Sequence, residues 1–194
     1  MSTTRALLTR ASGGQQEAWN ELVRRHTNLL WSIARSFRLD QADAADAVQT
    51  TWLRLVEHLD RVQDPDRLVG WLATTVRREC LRIKRIRDRE RPQSYDDPPF
   101  EIPDPAEPLD AKLLRDESYA TLWHAFAGMP EHCQRLLRVL MSSPPPSYDT
   151  VSAALQMPVG SIGPTRKRCL ARLRSLFGRH DCLPSQAPTA ERES

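Results

Sequence analysis

Residues 148–177, YDTVSAALQMPVGSIGPTRKRCLARLRSLF, carry two helical patterns separated by a short turn. Residues 148–155 predict a short helix, residues 156–159 a tight turn, and residues 161–177 a longer basic helix. Two helices of this size across such a turn are typical of a helix-turn-helix. The second helix should turn four residues inward: Ile162, Cys169, Leu173 and Leu176.

The turn departs from the usual pattern in two places. Gln156 stands where glycine is common, so it adopts either a left-handed conformation, at a cost of about 1 kcal/mol, or another turn. Pro164 fits only in the first turn of a helix, which predicts a helix start within residues 159–161 and a capping role for the Ser161 hydroxyl. Ser152 is the small residue expected to face the second helix.

The rest of the chain predicts further helices and no strand. Their expected bounds are about 15–37, 41–59, 66–89, 113–126 and 130–141. The helix at 41–59 should bury a stripe made of Ala45, Val48, Trp52, Leu55, Val56 and Leu59. We therefore predict an all-α fold of two small helical domains joined by a Pro-rich acidic linker. The expected boundaries are 1–90 for the N-terminal domain, 91–112 for the linker, 113–178 for the C-terminal domain and 179–194 for a disordered tail.

Charge is strongly segregated along the 194 residues, although the net charge is only +3. Residues 71–90 carry a net +4 and residues 160–180 a net +6, whereas residues 92–110 carry a net −6 together with six prolines. A solvated helix face explains either basic run alone, but two such runs on two helical modules favour nucleic-acid binding. The Pro-rich acidic segment favours an extended tether.

The chain carries few signs of a membrane, metal or catalytic site. No apolar run approaches a membrane span, so we expect no membrane insertion and a cytoplasmic location. The four cysteines, Cys80, Cys133, Cys169 and Cys182, lie far apart, which predicts reduced, packed thiols. His132 and Cys133 are adjacent and should point to different helix faces. We expect no metal, no cofactor and no enzymatic activity.

Four segments resemble the small extracytoplasmic-function (ECF) sigma factors of bacterial RNA polymerase. Residues 43–55, DAADAVQTTWLRL, resemble the helix that binds core polymerase, and residues 70–82, GWLATTVRRECLR, the helix that melts and reads the −10 promoter element. Met129-Pro-Glu resembles the start of the C-terminal domain, and residues 148–162 its helix-turn-helix for the −35 element. Thr50, Arg78 and the Gly163-Pro164 pair depart from the family pattern.

The resemblance implies a transcription initiation factor that binds core RNA polymerase, recognises promoter DNA and promotes strand opening. It also implies an anti-sigma factor as a partner, a free monomer, and an acidic linker that passes through a basic polymerase channel. The residues expected at the −35 element are Ser161, Pro164, Thr165, Lys167, Arg168 and Arg172. Those expected at the −10 element are Arg61, Asp64, Arg67, Arg77 and Arg78. Those expected to bind core polymerase, as a strip that no intrachain core requires, are Asp43, Asp46, Gln49, Thr50, Leu53 and Arg54.

Two other classes of function fit parts of the pattern. A one-component transcriptional regulator would use the same helix-turn-helix with a helical sensing domain, and it would dimerise and bind duplex DNA without polymerase. An all-helical enzyme or adaptor would carry the basic faces incidentally. The histidines fall singly and no nucleophile accompanies them, which disfavours an enzyme.

Overall fold

The computed structural model describes residues 3–59, 64–90 and 119–180, and within these ranges every regular element is a helix. The predicted all-α fold is therefore confirmed. The helices are α1 Thr4–Ser12, α2 Gln16–Ser36, α3 Gln41–His58, a 3₁₀ turn Pro65–Arg67, α4 Leu68–Glu90, α5 through 119–127, α6 Glu131–Leu140, α7 Tyr148–Leu155 and α8 Val159–His180. The predictions for Arg61, Cys182, the linker at 91–112 and residues 181–194 of the tail fall outside the described residues, whereas Arg179 and His180, predicted to lie in the tail, belong to α8. No described helix has the length and apolarity needed to cross a membrane.

Helix α1 was not predicted from the sequence. The Thr3 side chain caps it by accepting a hydrogen bond from the Ala6 amide at 3.3 Å. Its nine residues supply only two buried side chains, Leu7 and Leu8. Helical periodicity can be recognised only over several turns, and this short helix offers too few apolar positions for that.

Helix α3 buries a face that overlaps the predicted stripe only in part, at Val48 and Leu55. The buried side chains are Ala44, Ala47, Val48, Thr51 and Leu55. The small alanines allow close helix packing, and the Thr51 hydroxyl is satisfied by donating to the Ala47 carbonyl at 2.7 Å. Val56, predicted to face inward, is 55% exposed instead.

The two helical modules share one hydrophobic cluster, which the sequence did not predict. Leu30 of α2 and Leu72 of α4 belong to the same cluster as Leu136 of α6, Val151 of α7 and Ile162 of α8. Helix α2 contacts α6, and α4 contacts α7. We call this junction, where α2 and α4 meet α6 and α7, the seam.

Polar contacts reinforce the seam. Arg138 of α6 donates a hydrogen bond to the Arg35 carbonyl near the end of α2 at 2.8 Å. The Asn28 amide donates to the Ser143 carbonyl at 3.3 Å. The Arg135 guanidinium lies over the Phe37 ring, 4.5 Å from its centroid. The modules are therefore held by oriented contacts as well as by apolar burial.

The cysteine prediction was wrong for two of the four residues. Cys133 of α6 and Cys169 of α8 form a disulfide, with their Cα atoms 5.3 Å apart. They are 36 residues apart in the chain, so it is the packing of α6 against α8 that brings them together. Cys80 is free and buried, as expected for a packed thiol.

Of the two conformations predicted for the turn of the helix-turn-helix, the structure shows the strained, left-handed one at Gln156. Gln156 has φ 55° and ψ 43°, the left-handed conformation. Ile162 is completely buried and docks the second helix, as predicted. Helix α8 begins at Val159, so Pro164 is its sixth residue and lies beyond the first turn. The predicted cap was also wrong, because the Ser161 hydroxyl lies inside the helix and donates to the Pro158 carbonyl at 2.7 Å.

Candidate nucleic-acid and protein interface

Helix α8 presents a basic face to solvent. Its exposed side chains include Pro164, Arg166, Lys167, Arg168, Arg172 and Arg174. Residues 160–178 contain no acidic residue, so nothing along this stretch of the helix neutralises the face. Charge of one sign on one helix face attracts a polyanion.

Thr165 does not lie on this face, which corrects the predicted exposed arc. The side chain is 8% exposed, and its hydroxyl accepts a hydrogen bond from the Arg168 guanidinium at 3.0 Å. The burial follows from helical spacing, since Thr165 precedes the buried Cys169 by four residues and shares its side of the helix. Thr165 therefore acts on the exposed face only by orienting Arg168.

A shallow groove runs beside α8. It contains Arg174, which the sequence predicts to meet backbone phosphates, and Arg166, which the predicted site omitted. Its lining residues are Tyr148, Gly163, Arg166, Lys167, Leu170 and Arg174. A Cβ at Gly163 would lie 3.9 Å from the Tyr148 ring, an ordinary contact, so the glycine is not required for packing. Arg166 and Arg174 are eight residues apart, which places them on one side of the helix. That spacing from Arg174 was the signal that could have identified Arg166.

The residues predicted for the −10 element divide into separate groups. Asp64 caps the 3₁₀ turn by accepting from the Asp66 amide at 3.1 Å, and it pairs with the 87% exposed Arg67 at 3.0 Å. Arg77 and Arg78 follow Arg67 by ten and eleven residues. Along a helix this separation is about 15 Å, so the structure does not bring the two groups together.

Arg77 and Arg78 also differ in their exposure to solvent. Arg78 is exposed, whereas Arg77 is half-buried in the seam. Burial lowers the pKa of the Arg77 guanidinium, and the charges of Arg135 and Arg78 lower it further. In this arrangement Arg77 is only partly accessible, whereas Arg78 is open to solvent.

Most residues of the strip predicted on α3 are exposed to solvent, as a binding surface requires. Asp46, Gln49, Leu53 and Arg54 are exposed, and Thr50 is half-buried. Leu53 is 56% exposed, and Val56 beside it, which was not predicted for this strip, is 55% exposed. Residues three apart on a helix are neighbours, so the two side chains form one apolar patch.

Two residues of that strip have intrachain partners, which corrects the expectation that no internal contact requires them. Asp43 pairs with Arg87 of α4, and burial raises the pKa of the Asp43 carboxyl. Arg54 pairs at 2.8 Å with Glu79 of α4, whose buried carboxylate also pairs with Arg82 at 2.8 Å. Sequence spacing could not reveal these pairs because they join different helices.

Comparisons with known proteins agree with this architecture. The family model for sigma-70 region 2 matches residues 22–91, which include α3 and α4. The chain is 28% identical over 184 residues to the ECF RNA polymerase sigma factor SigE of Mycolicibacterium smegmatis, covering 91% of this chain and 69% of SigE. It is 37% identical over 87 residues to the RNA polymerase sigma factor CnrH of Cupriavidus metallidurans, covering 43% of this chain and 45% of CnrH.

A solved structure shares the fold. The structure of CnrH in complex with the cytosolic domain of CnrY matches with a TM-score of 0.57 and 23% identity, covering 92% of this chain and 99% of that one. The likeness spans both helical modules, and the sequence relatives share the region that contains α3 and α4. Residues 22–91 therefore form a sigma-70 region 2 domain, and the chain as a whole is similar to ECF-type RNA polymerase sigma factors, which supports a role in transcription initiation.

Proposed function

We propose that this chain binds core RNA polymerase through α3 and directs it to promoters by reading the −35 element with α8 and the −10 element with α4. The observation that carries the proposal is the apolar patch of Leu53 and Val56 on α3, flanked by the exposed Asp46 and Gln49. An apolar patch rimmed by polar residues is typical of a protein-binding surface. A one-component regulator, the alternative function, has no need of such a surface on this helix.

Helix α8 supplies the −35 contacts. Lys167 and Arg168 are exposed in the N-terminal half of this helix, the half whose end enters the major groove in helix-turn-helix proteins. Their side chains can donate to guanine O6 and N7. Arg172 and Arg174 lie farther along the helix, where contacts to backbone phosphates are expected. Ser161 and Pro164, at the start of the helix, complete the surface that faces DNA.

Reading the −10 element requires the modules to separate. Arg77 is half-buried, so in the closed arrangement Arg78 is the more accessible of the two α4 arginines to an unstacked base. We expect polymerase binding to open the seam and expose Arg77. The sequence-based expectations of an anti-sigma partner, a free monomer and a cytoplasmic site of action remain part of the proposal. The function needs no covalent chemistry and no cofactor from this chain.

The test is retention of core polymerase by the immobilised chain. The variant Asp46→Arg with Leu53→Glu alters the α3 patch and leaves the buried face and the Arg54–Glu79 pair unchanged. A matched control, Glu131→Arg with Met141→Glu, makes the same changes at exposed positions of the C-terminal module. We expect the control to retain polymerase and the α3 variant to lose it. Equal retention by both variants would remove α3 from the interface.

A further inference from the structure

Three groups with metal-binding chemistry meet where α6 and α8 touch. His132 and Cys133 lie in the first turn of α6, and Cys169 lies in the middle of α8. One imidazole nitrogen and the two Sγ atoms all lie within 4.8 Å of one another. His132 Nε2 is 3.4 Å from Cys133 Sγ. The sequence-based expectation that these adjacent residues point apart was therefore wrong, because the imidazole ring reaches back toward the sulfur.

The separation of nitrogen and sulfur suits a shared tetrahedral ion. Zinc binds thiolate sulfur at about 2.3 Å and imidazole nitrogen at about 2.0–2.1 Å, so two such ligands of one ion lie about 3.5 Å apart. The observed 3.4 Å agrees with this value. The two sulfurs of one ion lie about 3.7 Å apart by the same geometry, which requires the disulfide to be reduced.

We propose that the reduced chain binds a thiophilic divalent metal of the zinc class through His132, Cys133 and Cys169. Three protein ligands leave a fourth position for water or a small thiol. Metal binding and the disulfide are alternatives, because the metal needs two thiolates and the disulfide has none. The site revises the prediction that the chain carries no metal ligands.

The surroundings of the site fit this chemistry. Cys133 and Cys169 are 4% and 1% exposed and pack among Phe126, Met129 and Leu137. Buried thiolates in an apolar cluster are costly without a cation, which the metal would supply. His132 is exposed, so the imidazole borders solvent and offers the ion a path to the sulfurs.

Conversion between the two states is a thiol–disulfide exchange with a low-molecular-weight disulfide. The Cys133 thiolate attacks that disulfide, forms a mixed disulfide and releases one small thiolate. The Cys169 thiolate then attacks the Cys133 sulfur and releases the second small thiolate. The protein sulfurs lose two electrons, the small disulfide gains them and becomes two thiols, and the metal ion leaves unchanged in charge.

The experiment is a Co²⁺ titration of the full chain, reduced and freed of reductant without air, followed by absorbance. Tetrahedral thiolate-bound Co²⁺ gives visible ligand-field bands and a thiolate-to-metal charge-transfer band, and added Zn²⁺ should abolish both. We expect one ion per reduced chain and none per disulfide-bonded chain. His132→Ala should weaken binding by roughly tenfold or more, and Cys169→Ser should abolish the charge-transfer band. His124→Ala, at an exposed histidine outside the cluster, should bind like the unmodified chain.

Three results would overturn the proposal. They are no thiolate band in the reduced chain at stoichiometric Co²⁺, the same binding by the reduced and disulfide-bonded chains, or unchanged affinity in His132→Ala. Circular dichroism of each variant checks that it is folded, and His132→Ala changes an exposed side chain that the core does not need. The readout uses neither polymerase nor DNA, so it stands apart from the test of the proposed function.

Discussion

Arg77 of α4 and Arg135 of α6 carry like charges close together in the seam, and the charge of Arg135, second to burial, lowers the pKa of the Arg77 guanidinium. Arg135 is nevertheless held there by the Phe37 ring at 4.5 Å. The closed arrangement therefore keeps two repelling groups together and draws its stability from the apolar cluster that the modules share. A partner that binds either module more tightly when they are apart would open the seam.

The first prediction concerns this repulsion. Arg135→Glu loses the contact with the Phe37 ring but replaces the repulsion of Arg77 with an attraction. We expect the electrostatic change to outweigh the lost contact and to favour the closed arrangement. We expect slower amide hydrogen exchange in residues 68–78 than in the unmodified chain, because opening becomes less frequent. The control Arg166→Glu makes the same charge change on the exposed face of α8, away from the seam, and should leave that exchange unchanged. Faster or unaltered exchange in Arg135→Glu would mean that the pair does not govern opening.

The second prediction distinguishes the α8 side chains that contact bases from Thr165, which only orients one of them. Lys167→Ala and Arg168→Ala should each weaken −35 recognition by about 1–3 kcal/mol if the side chain makes a bidentate base contact. Thr165→Val keeps the buried shape and removes only the hydrogen bond to Arg168, so its effect should be smaller and should fall at the base that Arg168 reads. Selection from a randomised −35 library measures all three. A base preference unchanged by Arg168→Ala would place that side chain on the backbone instead.

The third prediction is a pH dependence of stability. Burial lowers the pKa of His26 below its ordinary value of 6.5, and the charge of Arg25 lowers it further. The unfolded chain therefore binds more protons than the folded chain near that pH. The contribution of neutral His26 to the free energy of unfolding is complete above about pH 6.5 and declines as the pH falls through that value.

Urea unfolding at pH 8 and pH 5.5 measures the effect. His26→Gln should lose part of the difference in unfolding midpoint between the two pH values, whereas His124→Gln, at an exposed histidine, should retain it. If the unmodified chain and His26→Gln show the same difference, another group is responsible.

The fourth prediction concerns the thiol of Cys80. Burial raises its pKa to about 12, and the side chain is fully buried. At pH 8 the thiolate is then only about one part in ten thousand. We expect iodoacetamide to leave Cys80 unmodified in the folded, reduced chain and to alkylate it in urea. A thiol introduced as Ser175→Cys on the exposed face of α8 should react in both conditions. Labelling of Cys80 at a similar rate in the folded chain would contradict its burial.

Helical periodicity was sufficient to predict the all-α architecture and the long helices, because each long helix repeats its apolar residues over several turns. The docking of Ile162 and the conformational alternatives for Gln156 were also predictable, since both depend on neighbouring residues in one motif. The predicted buried stripe of α3 was displaced by about one residue from the observed buried face. Alanine is apolar but small, so Ala44 and Ala47 did not stand out against Val56.

Three of the features that sequence reasoning missed join distant parts of the chain. The Cys133–Cys169 disulfide, the Arg54–Glu79 pair and the seam depend on how helices pack. A single sequence contains no spacing that encodes such contacts. The burial of Thr165 is different, because its distance of four residues from Cys169 was visible, and threonine was assigned to the exposed face on its polarity alone.

The most direct test of the account is run-off transcription with purified core RNA polymerase and this chain on fragmented genomic DNA. We predict discrete transcripts that require the chain, that share −35 and −10 elements upstream of their starts, and that disappear with Asp46→Arg and Leu53→Glu. A chain that binds duplex DNA tightly by itself and yields no transcript with core polymerase would contradict the proposed function.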